Sequence, residues 1–202
     1  MSHAVPRSLI GVALAAGLAL TGCGGPGPGS AAEVRPTDPA GPSTPPPSGA
    51  GCAAAGDIAA LAELNLVDAA KQMTATQTFA TYLTADADRE KRYRSLGGVT
   101  AFVPVDSAWT TLDPTAAQQL TDPYWHQAVV EYSLVPAELT PEAFTGGQTG
   151  AMQTFRAPGA VLSGHAVGES IVLNGHANVV CSAVPFDGGL IYLIDTVMLP
   201  SA

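Results

Sequence analysis

The chain has 202 residues, which suits one domain with flanking segments and does not require a second domain. Apolar residues make up 47% and charged residues only 12% of the sequence, whereas a charged share of roughly 25% is usual. This composition excludes a wholly disordered or coiled-coil chain. The net charge of -9 would repel the phosphate backbone of a nucleic acid, so we expect no nucleic-acid partner.

The N-terminus has the pattern of a secretory signal followed by a lipid-attachment site. Arg7 precedes the apolar residues 9–20, a run too short to cross a bilayer because a transmembrane helix needs about 20 apolar residues. Residues 20–23, Leu-Thr-Gly-Cys, resemble the bacterial lipobox, in which a small residue precedes the cysteine that receives a diacylglycerol. We predict a lipoprotein signal peptide over 1–22 and lipidation of Cys23, which anchors the chain at the extracytoplasmic face of the cell membrane. The alternative is an ordinary secretory signal in which the cysteine is incidental.

A tether is predicted between the lipid and the folded domain. Of the 28 residues at 24–51, 15 are Gly or Pro and none is aromatic, so the stretch cannot bury enough surface to fold. Drawn out as polyproline II, at about 3.1 Å per residue, it would reach roughly 90 Å. We therefore assign 23–51 to the lipidated cysteine and tether, and 52–202 to the folded domain.

The cysteine count predicts one disulfide. Without the lipidated Cys23, the chain retains Cys52 and Cys181, an even pair in an oxidising, exported setting. Two buried free thiols are the alternative. Because no second cysteine or histidine stands at zinc-ligand spacing, we predict no metal and no cofactor.

The first part of the domain reads as helical. Apolar residues recur at near-helical spacing in two runs: Leu64, Val67, Ala70 and Met73, then Phe79, Tyr82 and Leu83. Thr76 is a possible N-cap between them. Residues 86–94 mix acids with four of the six bases of the domain, which is typical of solvated surface. The alternative is a docking site for an anionic partner.

The later part contains helix starts and strands. Residues 99–104 have the profile of a buried strand. An N-capping side chain precedes a proline three times, at 113–114, 122–123 and 140–141, which predicts three helices. The second helix should bury Trp125, Ala128, Val129 and Tyr132.

Hairpin signals dominate the C-terminal part. Asn174-Gly175 predicts a tight turn between strands at 171–173 and 177–181. A second turn at 187–189 leads into 190–199, which is apolar on both alternating faces and should lie inside a sheet. Helices followed by a meander of strands indicate an α+β domain rather than a βαβ repeat.

Three ordered blocks resemble the fasciclin family. Residues 99–109 and 190–200 resemble its two signature segments, and 131–136 resembles its central tyrosine–histidine segment. The resemblance covers roughly 57–200 and implies a single compact α+β domain, with a sheet wedge flanked by N-terminal and central helices. It also implies extracellular adhesion or ligand binding without catalysis. Cys52 and the sequence around Cys181 resemble the mycobacterial branch, which includes secreted and lipid-anchored surface antigens.

The resemblance supplies two candidate binding residues. The family's central segment contains a tyrosine–histidine pair, and Ser133 stands where the histidine would be. Any adhesive role attributed to that pair is therefore carried here by Tyr132 alone. Asp106, in the first signature segment, is the second candidate. For Asp106 and Asp195 a structural role, as a turn or cap and as a strand-end hydrogen bond, is favoured over a functional one.

The common catalytic signatures are missing. The sequence has no G-x-S-x-G elbow, P-loop, dinucleotide fingerprint or H-E-x-x-H motif, so we predict no enzyme and no catalytic residues. A triad of His126 with Asp122 and Ser133, or a metal between His165 and His176, is a less favoured alternative.

The predicted function is a lipid-anchored bacterial surface module for binding or adhesion. Its expected partner is an extracellular protein or envelope component, besides the membrane that holds the lipid. The alternative is an extracytoplasmic carrier or sensor of an apolar small molecule, and an uncharacterised enzyme is a distant third.

Overall fold

The structure is a computed structural model that describes residues 45–145, 150–156 and 159–200. A 3-10 helix at Cys52–Ala55 precedes the first α-helix. The α-helices are Ile58–Leu61 (α1), Leu66–Gln72 (α2), Gln77–Leu83 (α3), Ala87–Arg94 (α4), Asp106–Thr110 (α5), Pro114–Gln119 (α6), Pro123–Tyr132 (α7) and Glu142–Thr145 (α8). The β-strands are Val99–Pro104 (β1), Leu134–Val135 (β2), Met152–Gln153 (β3), Val161–Leu162 (β4), Gly164–Val167 (β5), Ser170–Leu173 (β6), Ala177–Phe186 (β7) and Gly189–Ile194 (β8). The predicted signal peptide, Cys23 and most of the tether lie outside the described residues.

The predicted N-terminal helices are present, but they are shorter than the apolar spacing suggested. Leu64 precedes α2 because Asn65 caps that helix, accepting hydrogen bonds from the backbone N–H groups of Val67 and Asp68. Thr76 stands at the N-cap position of α3 but makes no capping bond. Its buried hydroxyl instead donates to the carbonyl oxygen of Ala70 at 2.8 Å. The predicted N-cap position of Thr76 is therefore confirmed, but its side chain does not make the capping bond.

Two of the three predicted Pro-led helices begin where expected. Asp113 accepts from the N–H groups of Thr115 and Ala116 at the start of α6, and Asp122 accepts from Tyr124 N–H at the start of α7. The third helix, α8, begins at Glu142, one residue after the predicted start. The buried residues of α7 are Ala128, Val129, Val130 and Tyr132, whereas Trp125 is only half-buried.

The six-stranded sheet has the order β2-β1-β8-β7-β6-β5, and β3 pairs with β4 separately. Only the β1–β8 pair is parallel, while the other named strand pairs are antiparallel. The predicted hairpin turn is confirmed, since Asn174 and Gly175 both have positive φ, at 49° and 73°. The last strand ends at Ile194 rather than in the predicted range to 199, because Asp195 closes it with hydrogen bonds to Asn178.

Both faces of the sheet are covered, which confirms the α+β class and the flanking helices. All six residues of β1 are buried. Alternation sends Val99, Ala101 and Val103 into a core shared with α2, α3 and α4, whereas Phe102 enters a second core with Phe144 and Tyr192. Among the described helices, none is long and apolar enough to cross a membrane.

Candidate functional site

Asp106 joins two helices that are distant in sequence. It is the first residue of α5, and its carboxylate accepts hydrogen bonds from Gln77 N–H at 3.1 Å and Thr78 N–H at 2.9 Å. Its own N–H donates to the carbonyl oxygen of Ala75 at 2.7 Å. Asp106 therefore caps α3, the role that the sequence had suggested for Thr76. Both carboxylate oxygens are used within the domain.

Tyr132 lies inside the domain rather than on its surface. Only 8% of the residue is exposed. Its hydroxyl donates to the carbonyl oxygen of Val161 at 3.0 Å and accepts from the Asn174 amide at 3.1 Å. The tyrosine thus connects α7 to β4 and to the β6–β7 turn. A partner could reach Tyr132 only by displacing these contacts, so its adhesive role stays a prediction.

Ser133 follows Tyr132 and is also buried. Its backbone oxygen accepts from Phe102 N–H at 2.9 Å, which joins the end of α7 to β1. The side-chain hydroxyl is completely buried and has no hydrogen-bond partner among the described residues. This is an internal position, because solvent does not reach the hydroxyl.

Two of the histidines considered for catalysis or metal binding, His126 and His176, contact backbone oxygens in the structure. The Nε2 atom of His126 lies 2.8 Å from the carbonyl oxygen of Leu120. The imidazole ring of His126 stacks on the Tyr82 ring, with 4.0 Å between the two ring centroids. Ser133 is buried elsewhere, so no triad forms with it. His165 pairs in register with Val172, while His176 Nδ1 contacts the Asn174 carbonyl oxygen in the turn. In the described ranges, no three His, Cys, Asp or Glu side chains come together as a metal site.

The end of the predicted tether is fixed to β7. Cys52 and Cys181 form a disulfide with a Cα–Cα distance of 4.7 Å. Ser48 pairs with Ser182 as an isolated β-bridge, which places the contact with β7 before the predicted domain boundary at Cys52. Gly49 has φ 130°, and a Cβ there would lie 2.3 Å from a backbone oxygen of β7, so the close approach requires glycine.

A groove opens beside this attached segment. It has a volume of about 910 Å³ and lies between residues 48–51 and the start of β6. Ile171, Val179 and Val180 give it an apolar floor, and Glu169 and Asn178 add polar groups. No local sequence pattern indicates this groove, because it arises where two segments share one edge of β7.

The charged stretch on α4 is a surface network. Arg94 donates to Asp68 at 2.7 Å and to Glu90 at 2.8 Å, and Lys71 lies 3.5 Å from Glu90. The hydrogen bonds from Arg94 hold the pKa of Asp68 and of Glu90 below the usual values. Ion pairs that remain this accessible to solvent contribute little to stability, so the network agrees with the prediction of solvated surface.

Sequence reasoning missed an exposed surface on α7. Tyr124 is 56% exposed, and the guanidinium of Arg156 donates to its hydroxyl at 2.6 Å. Phe155, next to the arginine, is 38% exposed. These residues are 31 or 32 positions apart in sequence, so no local pattern could have joined them.

Comparisons with known proteins agree with this fold. One similar solved structure is a FAS1 domain pair from the insect cell adhesion molecule Fasciclin I, with a TM-score of 0.56 and 19% sequence identity. The match covers 67% of this chain and 51% of that chain, so the present chain spans about half the length of the domain pair. No curated protein matches the sequence significantly. The fasciclin-domain family matches residues 74–200, which is more than half of the chain, and the protein therefore belongs to the fasciclin family.

Proposed function

We propose that this protein is a lipid-anchored binding or adhesion module, displayed on the extracytoplasmic face of a bacterial cell membrane and without catalytic activity. Fasciclin domains are adhesion-related modules, and the family is generally non-enzymatic. The expected partner is an extracellular protein or an envelope component. The lipobox-like sequence before Cys23 supports the anchor, and the two cysteines of the domain support placement in the mycobacterial lipoprotein branch.

The observation that carries this proposal is how the tether joins the domain. Ser48 N–H donates to Ser182 O at 3.3 Å, and Ser182 N–H donates to Ser48 O at 2.8 Å. Gly51 N–H also donates to Val180 O at 2.8 Å. The disulfide follows at Cys52. A pull on the tether is therefore transmitted to β7 in the middle of the sheet, before it can act on the N-terminal helices. Such an attachment suits a domain that is held by its N-terminus while it binds a partner.

The experiment is a capture assay on intact cells that display the full chain. Deleting residues 24–44 should preserve membrane attachment and folding, because residues 45–51 stay on β7, but should weaken retention of envelope material or extracellular protein. A matched control replaces the deleted segment by a Gly/Ser-rich sequence of equal length and should restore retention. Equal retention by cells with and without the chain would overturn the proposal.

The carrier function remains as the second candidate because of the groove beside residues 48–51. Its apolar floor could receive part of a small apolar molecule. Mass spectrometry of organic extracts from the purified chain tests this. A stoichiometric ligand that is lost in a Val179→Asp variant would favour the carrier over the adhesin.

A further inference from the structure

Tyr124 and Phe155 are two of the three large apolar side chains exposed among the described residues, and Val167 at the end of β5 is the third. Scattered exposed apolar residues are normal on protein surfaces, so exposure alone indicates nothing. Tyr124 and Phe155 differ from Val167 in that the Arg156 side chain contacts Tyr124 and Arg156 directly follows Phe155 in the chain.

Arg156 is held along the surface of α7. Its backbone N–H donates to Glu131 O at 3.1 Å, near the C-terminal end of the helix. Its side chain runs toward the other end, where it donates to the Tyr124 hydroxyl and lies 5.1 Å from the Tyr124 ring centroid. Phe155 is fixed next to it by a backbone hydrogen bond to Leu134 O at 2.9 Å. We call this surface, formed by Tyr124, Phe155 and Arg156, the α7 face.

The charge of the α7 face contrasts with the rest of the domain. Arg156 is the only Lys or Arg in residues 95–200, a stretch that contains nine Asp and Glu. It makes no ion pair with any described residue. The nearby Glu131 carboxylate accepts from the Gln127 amide, and Gln127 in turn accepts from Arg89 of α4. Two guanidinium groups from distant elements thus contact α7.

The contacts within the α7 face leave Arg156 ready for a ligand. The hydrogen bond to Tyr124 uses one of its donors and restrains the side chain, while the remaining donors suit a bidentate bond to a carboxylate. A side chain that is already oriented loses less conformational entropy on binding. Tyrosine, phenylalanine and arginine are also the residue types enriched at the centres of protein interfaces.

We propose that the α7 face binds an acidic segment of a protein partner, in which a carboxylate pairs with Arg156 and an adjacent apolar side chain packs on Tyr124 and Phe155. This inference rests on the proposed binding function and names the chemistry of its partner. A neutral glycan would leave the guanidinium without a counter-charge. An anionic polymer without apolar groups would leave the two aromatic rings unused.

The test uses the full chain in detergent micelles and an immobilised capped peptide, acetyl-Gly-Glu-Leu-Glu-Trp-Gly-amide, on a biosensor surface. The variants Arg156→Gln and Tyr124→Ala should each weaken affinity about tenfold. Lys71→Gln, which changes the net charge equally but lies on α2, is the matched control and should change affinity less than about twofold. Replacing both glutamates of the peptide by glutamine should weaken binding as much as Arg156→Gln does.

Localisation and folding are measured separately. A peptide with photoreactive leucine should crosslink to residues near 124 and 155, as mapped by mass spectrometry. Circular dichroism and thermal unfolding identify variants that fail to fold, and Arg156→Lys, which keeps the charge but loses the planar fork, should bind with intermediate affinity.

Four outcomes would overturn the inference: no peptide binding, crosslinks on another surface, equal losses for Lys71→Gln and Arg156→Gln, or equally tight binding of poly-glutamate. Failure of the cell capture assay with the wild-type chain would sink the proposed function instead. If the peptide does not bind but cells that display the chain still capture material, only the α7 face is excluded as the binding site.

Discussion

The Asp106 carboxylate lies 2.9 Å from the backbone nitrogen of Thr78, 28 positions earlier in the chain. A capping carboxylate normally belongs to the residue that precedes its helix, whereas this one comes from another element. The bond therefore fastens α3 to the junction between β1 and α5. In this way a residue from a family signature segment contributes to the fold.

Loss of this cap should destabilise the domain. Asp106→Ala is expected to lower the free energy of unfolding by about 1–2 kcal/mol, because the first two N–H groups of α3 lose their acceptor. Urea unfolding followed by circular dichroism measures the change. Ser107→Ala, at an exposed neighbouring position, is the control and should have almost no effect. Wild-type stability in Asp106→Ala would contradict a structural role.

Ser133 and Thr100 should respond in opposite directions when their hydroxyls are removed. Both are completely buried, but Ser133 has no described partner, whereas Thr100 donates to Ala137 O at 2.7 Å and accepts from Leu139 N–H at 2.8 Å. Ser133→Ala should raise the free energy of unfolding by about 1 kcal/mol, and Thr100→Val should lower it by about 1–2 kcal/mol. The same urea experiment measures both. A destabilised Ser133→Ala would show that the hydroxyl has a partner or that its volume matters more.

Reduction of the disulfide should lower the stability of the exported chain. The cysteines are separated by 129 positions, and for such a loop the chain-entropy model gives a loss of about 5 kcal/mol, an upper figure. Thermal unfolding with and without reductant measures the loss. The double variant Cys52→Ala and Cys181→Ala is the control and should not respond to reductant. Alkylation of both thiols in untreated exported protein would refute the pairing.

The lipid anchor can be tested by fractionation. Cys23→Ala should release the chain from membrane fractions or leave its precursor uncleaved, because the thiol that receives the lipid is gone. Intact-mass measurement should show the loss of the acyl chains. Cys52→Ala, which removes a different cysteine, should leave the membrane attachment unchanged. Unchanged processing and retention of Cys23→Ala would exclude lipidation at this residue.

Acid should remove part of the stability through Asp195. Partial burial alone would raise the pKa of Asp195, but hydrogen bonds from Asn178 and Thr196 hold it below the usual value. A carboxylate with a lowered folded-state pKa stabilises the fold above its unfolded pKa, and this contribution disappears as the pH falls through the folded pKa. Wild-type stability should therefore decrease as the pH falls below about 4, the ordinary pKa of an aspartate, and Asp195→Asn should be less stable at neutral pH with a shallower decrease. Parallel stability curves for the two proteins would contradict this.

The accuracy of the sequence predictions depended on how local each structural feature is. The helix starts at Asp113 and Asp122 were predicted correctly because an N-cap and its acceptor bonds lie within three residues. The Asn174-Gly175 turn followed from two residues that tolerate positive φ. Thr76 failed as a capping side chain because a distant carboxylate took that role. Tyr132 could be identified by its family segment, but its burial could not, since β4 and Asn174 enclose it from other parts of the chain.

The sequence by itself determined the class of the domain, because helical spacing, turn residues and buried strands are patterns set by near neighbours along the chain. Tertiary structure alone decided the parallel pairing of β1 with β8, the attachment of Ser48 to β7 and the contact between Tyr124 and Arg156. The physical reason is that each of these contacts joins segments that are distant along the chain. Which segments meet depends on which surfaces are buried together, and a local pattern of residues does not determine that.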